Sequence, residues 1–215
     1  GDVQIRTQVA VVIGQIAQFD WPDRWPALFP TLFKALGAAV AADQSDAAHQ
    51  TMLSSLRCLS IIAEDICDET LFNIVPIAMP RLLVMAQSAR ISNTAKEDIV
   101  RVSTAFLRGM GTLMGHHKQR VVAALGQSAL PGWMAFSLGL LNAPLTEALF
   151  GLKLKVLALH ETLLVGYGSV LSTAHVRNMV QSQIQNLRAF APIQARAKVA
   201  EEVGEVVQYE PIATK

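Results

Sequence analysis

The sequence predicts an all-α fold: a superhelix, or solenoid, of about four helical-hairpin repeats. Three observations predict it. Apolar residues recur at three- and four-residue steps along most of the chain, whereas β-hairpin signals are nearly absent. The helical segments come in pairs. A proline returns in the second helix of the first three pairs, in Phe29-Pro30-Thr31-Leu32, Met79-Pro80-Arg81-Leu82 and Leu130-Pro131-Gly132-Trp133, at spacings of 50 and 51 residues. The fourth pair has Gln181 near the equivalent place. Recurrence at a fixed period marks a repeat, and this one is slightly longer than that of HEAT and armadillo units.

The first helix is predicted over about Val3 to Phe19, because Val9, Val12, Ile13, Ile16 and Phe19 fall on helical spacing. Asp20 is expected to cap the next turn. Trp21-Pro22 breaks the chain, and a second helix is expected from Trp25 to Val40. The next pair covers Asp46–Ile66 and Ile74–Gln87, separated by Cys67-Asp68-Glu69. A third pair starts with Thr94–Leu113, which Gly115-His116-His117 is expected to end, and continues as a broken helical region over Arg120–Leu141. A fourth runs Leu145–Leu164, stopped by Gly166 and Gly168, then Ser172–Ala189. A further helix is expected to begin after Pro192. The repeats are therefore roughly 3–42, 46–90, 93–142 and 145–190, with a further helix over 193–209, in one HEAT-type array spanning 1–215. A compact helical bundle is the alternative packing.

Composition bounds the function. With 52% hydrophobic and only 16% charged residues, the 215-residue chain has ample material for a buried core. Its formal net charge is +1 and its Lys and Arg are scattered, which argues against a nucleic-acid groove. No charged residue lies between Arg120 and Glu147, a length that could span a bilayer. Gly126, Pro131, Gly132 and Pro144 break that stretch, so a helix sandwiched between neighbours explains it better than a membrane span. Cys58 and Cys67 lack metal-ligand spacing and suit a reducing compartment. The chain opens Gly-Asp and ends Pro-Ile-Ala-Thr-Lys, so it reads as a piece of a longer protein, with Gly1 a possible expression remnant.

Catalytic constellations are not found. There is no GxxxxGK[ST], GxGxxG after a strand, GxSxG or HExxH. His116-His117 has no Asp or Cys at ligand spacing, and His160-Glu161 lies in a long apolar helix. No catalytic residue, metal or cofactor is expected. Gly109, Gly111 and Gly115 are read as loosening the end of the third long helix. Glu201, Glu202 and Glu205 read as one exposed face, with Lys198 an i, i+4 partner of Glu202.

The run Ile16-Ala17-Gln18-Phe19-Asp20-Trp21-Pro22-Asp23-Arg24-Trp25-Pro26-Ala27-Leu28 resembles a segment of the importin-β superfamily of nuclear transport receptors. There an I-A-x-x-D-W-P-x-x-W-P-x-L run joins the two helices of an early HEAT repeat. Leu130-Pro131-Gly132-Trp133 and Gly151-Leu152-Lys153-Leu154-Lys155-Val156-Leu157 are similar to later segments of the importin-nine branch. The resemblance covers roughly residues 5–190. It implies a receptor that binds Ran in its GTP form and protein cargo, touches Phe-Gly repeats of the nuclear pore, and shuttles between cytoplasm and nucleus. It also implies that one or two repeats precede this segment.

By the same resemblance, the second helices line the inner, partner-binding surface, which makes Lys34, Arg81, Gln87, Arg177, Gln181, Gln185 and Arg188 the candidate contacts. An ordinary solvated face is the alternative for each. Their cations would suit acidic patches on Ran or cargo. Basic cargo such as histones would need the acidic turn at Asp65, Asp68 and Glu69 instead, unless those residues only cap helices. Asp20, Trp21, Pro22, Trp25 and Pro26 mark the family, and a structural staple fits them better than a binding site. Two other functions stand beside this one. A HEAT scaffold or histone chaperone would bind without nucleotide dependence, and a helical enzyme would need a pocket of converging titratable groups.

Overall fold

A computed structural model describes residues 2–41 and 46–203; the expected helix end at 209, the Lys198–Glu202 pair and the Glu201–Glu205 face lie outside the described residues or side chains. The elements are α1 (Asp2–Asp20), α2 (Leu28–Ala41), α3 (Asp46–Asp65), α4 (Leu71–Gln87), α5 (Asn93–Thr112), α6 (Met114–Gln127), α7 (Leu130–Asn142), α8 (Glu147–Tyr167) and α9 (Thr173–Val203). No strand occurs among the described residues.

Two layers result. The first helices of each pair, α1, α3, α5 and α8, pack side by side in chain order. The second helices, α2, α4, α6 with α7, and α9, form the other layer. Both α2 and α4 pack chiefly on the first helix of the following pair, α3 and α5, so each repeat buries its face on the next. This is the helical-repeat stack that the periodicity predicts. The core runs unbroken from Ala17 to Met179. At its centre α5 is enclosed on nearly all sides, with every residue from Val102 to Leu107 buried.

Several local expectations are corrected. Pro30 and Pro131 sit in the first turns of α2 and α7, where a missing N–H costs nothing, but Pro76 and Pro80 lie inside α4. The recurrent proline thus has two different settings. Helix α2 begins at Leu28 rather than Trp25, because Trp25-Pro26-Ala27 forms a turn closed by Leu28 N–H to Trp25 O at 3.2 Å. His116-His117 does not end α5. Both residues lie within α6, and His117 leaves helical geometry there (φ −126°, ψ 31°). Pro192 starts no new helix, since α9 runs through it; the Ala, Gln, Arg and Lys on either side are strong helix formers. Nor does Gly109 loosen α5. Gly109 is buried, and a Cβ there would meet Ile66 O at 2.7 Å, so the missing side chain lets α5 approach the α3–α4 turn.

Buried polar groups tie the layers together. Trp133 Nε1–H donates to Met79 O at 3.0 Å, joining α7 to α4. The Tyr167 hydroxyl donates to Leu107 O, joining α8 to α5, and burial pushes its phenol well above the ordinary value. Lys153 is 2% exposed and has no carboxylate partner among the described residues. Its ammonium instead donates to Leu141 O (3.0 Å), Ala143 O (2.5 Å) and Asn186 Oδ1 (3.2 Å), neutralising the carbonyl end of α7. Burial lowers its pKa.

Among the described residues no single helix is long and apolar enough to cross a membrane. The charge-free stretch from Arg120 falls in α6 and α7, which meet at a 65° bend.

Candidate partner-binding surface

The second layer carries all seven predicted contact residues, and all are exposed. Lys34 lies on α2. Arg81 lies on α4 and reaches back to it: its guanidinium carbon sits 5.5 Å from the centroid of the Phe33 ring. The structure thereby brings Lys34 and Arg81 onto adjoining helices. Gln87 is the last residue of α4. Arg177, Gln181, Gln185 and Arg188 follow one another along one face of α9 at helical spacing.

The layer has an electrostatic property that the linear sequence disguises. No Asp or Glu occurs within α2, α4, α6, α7 or the first 28 residues of α9, up to residue 200. Carboxylates occur instead on the first layer (Glu64, Glu97, Asp98, Glu147, Glu161) and in the turns. Of the described second-layer Lys and Arg side chains only Arg120 is paired, with Glu69 of the α3–α4 turn. Lys34, Arg81, Lys118, Arg177 and Arg188 have no carboxylate partner among the described residues. The first layer carries cations too, among them Lys96, Arg108 and Lys155, so the second layer is distinguished by its lack of carboxylates.

Sequence reasoning missed the apolar part of this surface. On α4, Ile77 and Val84 flank Arg81 at i−4 and i+3 and are 54% and 69% exposed. Val122 on α6 and Val180, Ile184 and Leu187 on α9 are exposed as well. The signal available was Arg81 itself, the only charge in an otherwise apolar helix, which marks the face turned to solvent.

Two residues of the acidic turn, Asp68 and Glu69, are engaged internally, while Asp65 is exposed. Asp68 Oδ1 accepts from the Thr70 backbone N–H at 2.9 Å and from the Thr70 hydroxyl. Glu69 accepts from Arg120 and stands 3.4 Å from His117 Nε2. The Arg120 guanidinium beside it holds the Glu69 carboxyl below the usual range. Arg120 also lies over the Phe72 ring at 4.2 Å, and Phe72 meets His117 edge-on. This cluster fastens the α3–α4 turn to the kink of α6.

At the Trp-Pro turn, the Asp20 carbonyl accepts from Arg24 N–H (2.6 Å) and Trp25 N–H (2.8 Å), while its carboxylate pairs with Arg24 at 3.6 Å. The Trp21–Pro22 bond is cis. Trp21 packs edge-on to Phe29, with ring centroids 4.9 Å apart, and both Trp21 and Trp25 lie against the core, whereas Pro22 and Pro26 are exposed.

Two concavities stand out. One of about 150 Å³ lies between the ends of α1 and α3, by Trp21 and Asp65. The other, about 610 Å³, lies between α5 and α8 and is lined by Leu107, Arg108, Met114, Glu161 and Val165 among others. His160 lines neither. It is fully buried, with Nε2 2.7 Å from Ser137 Oγ and Nδ1 without a partner, and burial pushes its pKa down to about 4. Cys58 is buried and Cys67 exposed.

Residues 2–75 match the family model of exportin 1-like proteins. The matched segment comprises α1, the Trp-Pro turn, α2, α3 and the start of α4. The match supports the importin-β/exportin superfamily and does not single out the importin-nine branch. No curated protein matches the chain.

Proposed function

We propose that the chain is a segment of a nuclear transport receptor that binds Ran in its GTP form and carries protein cargo between cytoplasm and nucleus. The match over residues 2–75, in a chain whose helices stack as repeats, is the observation that carries this reading. A stack of helical pairs presents one long surface per layer, which suits holding a protein rather than turning over a small substrate. The second layer, with Lys34, Arg81, Gln87, Arg177, Gln181, Gln185 and Arg188, is the partner-binding face. The open groove between α5 and α8 offers an apolar seat on the other layer for weak Phe-Gly contacts. The import direction and the importin-nine branch rest on the Leu130–Trp133 and Gly151–Leu157 runs alone. Histones and other basic cargo find no carboxylate on the second-layer helices up to residue 200, and in the acidic turn Asp68 and Glu69 are already engaged with Thr70, Arg120 and His117.

The test is binding of this chain, and of a version extended at its N-terminus, to Ran loaded with a GTP analogue or with GDP. Preference for the GTP form by either version supports a transport receptor. Binding by neither overturns it and leaves a helical-repeat scaffold.

A further inference from the structure

We propose that the second layer, centred on the Ile77–Arg81–Val84 stripe of α4, docks an acidic protein segment that carries aliphatic side chains between its carboxylates. The proposal gives the partner chemistry of the surface described above; it rests on the reading of this chain as a binding scaffold and not on Ran dependence.

Charge complementarity is the first argument. Five cations without carboxylate partners, Lys34, Arg81, Lys118, Arg177 and Arg188, lie on helices that contribute no carboxylate among their described side chains. Such a face attracts a negative partner and repels a basic one at every register.

The second argument is the placement of the apolar residues. Exposed aliphatic side chains at the ends of a helical stack need no partner beyond another repeat. Helix α4 is not at an end: it packs against α5, α6 and α7, and its Arg81 lies over Phe33 of α2. Ile77 and Val84 are nevertheless 54% and 69% exposed, one turn to either side of Arg81. Val180, Ile184 and Leu187 lie between Arg177 and Arg188 on α9 as well, but α9 is the last described helix and a further repeat would cover them, so α4 carries the inference. Aliphatic side chains flanking a cation match a partner with the opposite alternation, in which apolar contacts supply area and carboxylates supply register.

The same surface is ill-suited to other anions. The exposed large apolar residues on the second layer are all aliphatic among the described residues. Single-stranded nucleic acid is held by stacking on aromatic rings, which this surface does not offer among the described residues. The described cations are also sparse, with one or two on each of α2, α4, α6 and α9, against a phosphate charge every ~1.7 Å along duplex DNA.

The test uses fluorescence anisotropy with a labelled synthetic peptide of repeated Glu-Leu-Glu-Val. Parallel probes are a Lys-Leu-Lys-Val peptide, an oligoglutamate of equal length, a single-stranded oligonucleotide, and phosphatidylserine vesicles assayed by co-sedimentation. The Glu-Leu peptide is expected to bind most tightly of the five and to weaken as salt rises. Arg81→Glu should weaken it by about tenfold and Val84→Ser by about threefold. Both side chains are exposed, so the fold tolerates these changes, and circular dichroism verifies it. Lys155→Glu, on the first layer, should leave binding unchanged. Preference for the basic peptide, oligonucleotide or vesicles overturns the proposal. So does equal binding of oligoglutamate, insensitivity to Arg81→Glu or Val84→Ser, or no binding of the Glu-Leu peptide. Loss of Ran discrimination with peptide binding retained would count against the transport reading alone.

Discussion

His160 predicts how this fold responds to acid. The ring is fully buried, makes one hydrogen bond to Ser137 and leaves Nδ1 without a partner, so the fold accommodates it only as neutral imidazole. Burial lowers its pKa from 6.5 to about 4. An unfolded chain keeps the ordinary value. Between about pH 6.5 and pH 4 the unfolded state therefore binds a proton that the native state refuses. Stability must fall as pH drops through that window, be unaffected by this group above it, and level off below it. The two values lie roughly 2.5 pH units apart, which amounts to about 3 kcal/mol. Carboxylates titrate near the lower end, so the assay compares the native chain with His160→Gln, whose amide reaches Ser137 but does not titrate. Urea unfolding at a series of pH values from 7.5 to 4 should show the native chain losing about 3 kcal/mol more than the variant. An NMR titration of the native chain should keep the His160 ring neutral until about pH 4. Superimposable pH profiles, or a His160 that protonates with the ordinary value, would refute the burial argument.

Two further predictions concern single groups. Tyr167→Phe removes the hydroxyl that donates to Leu107 O between α8 and α5; it should lower stability by about 1–2 kcal/mol, read as a lower urea midpoint with an unchanged slope. Ala129 stands between α6 and α7 at φ 56°, in the left-handed region. Ala129→Gly should therefore raise stability by about 0.5–1 kcal/mol, seen as a higher Tm, and a lower Tm would refute the strain.

Much of the fold was legible because helix formation here is local. Val9, Val12, Ile16 and Phe19 declare a helix by spacing, and Asp20-Trp21-Pro22 declares its end. Where the reading failed, a neighbour decided. Pro192 reads as a boundary, yet good helix formers on both sides carry α9 through it. His116-His117 reads as a stop but becomes a kink in α6, with His117 and Arg120 drawn toward Glu69. Gly109 reads as loosening and proves to be a contact point with Ile66 O.

The candidate surface divides the same way. Residue identities alone determined that α4 carries one charge, Arg81, and that no carboxylate falls within α2, α4, α6, α7 or α9 up to residue 200. Spacing fixed which side chains share a helix face, since 3.6 residues per turn is a property of the backbone. Tertiary packing decided which of those faces is covered. In an apolar helix such as α4, Ile74 and Ile77 are equivalent by hydropathy, and only the presence of neighbouring helices buries the first and leaves the second in water. Packing likewise set the helices without carboxylates beside one another, because a helix alternating with its partner in sequence lies beside every second helix in space.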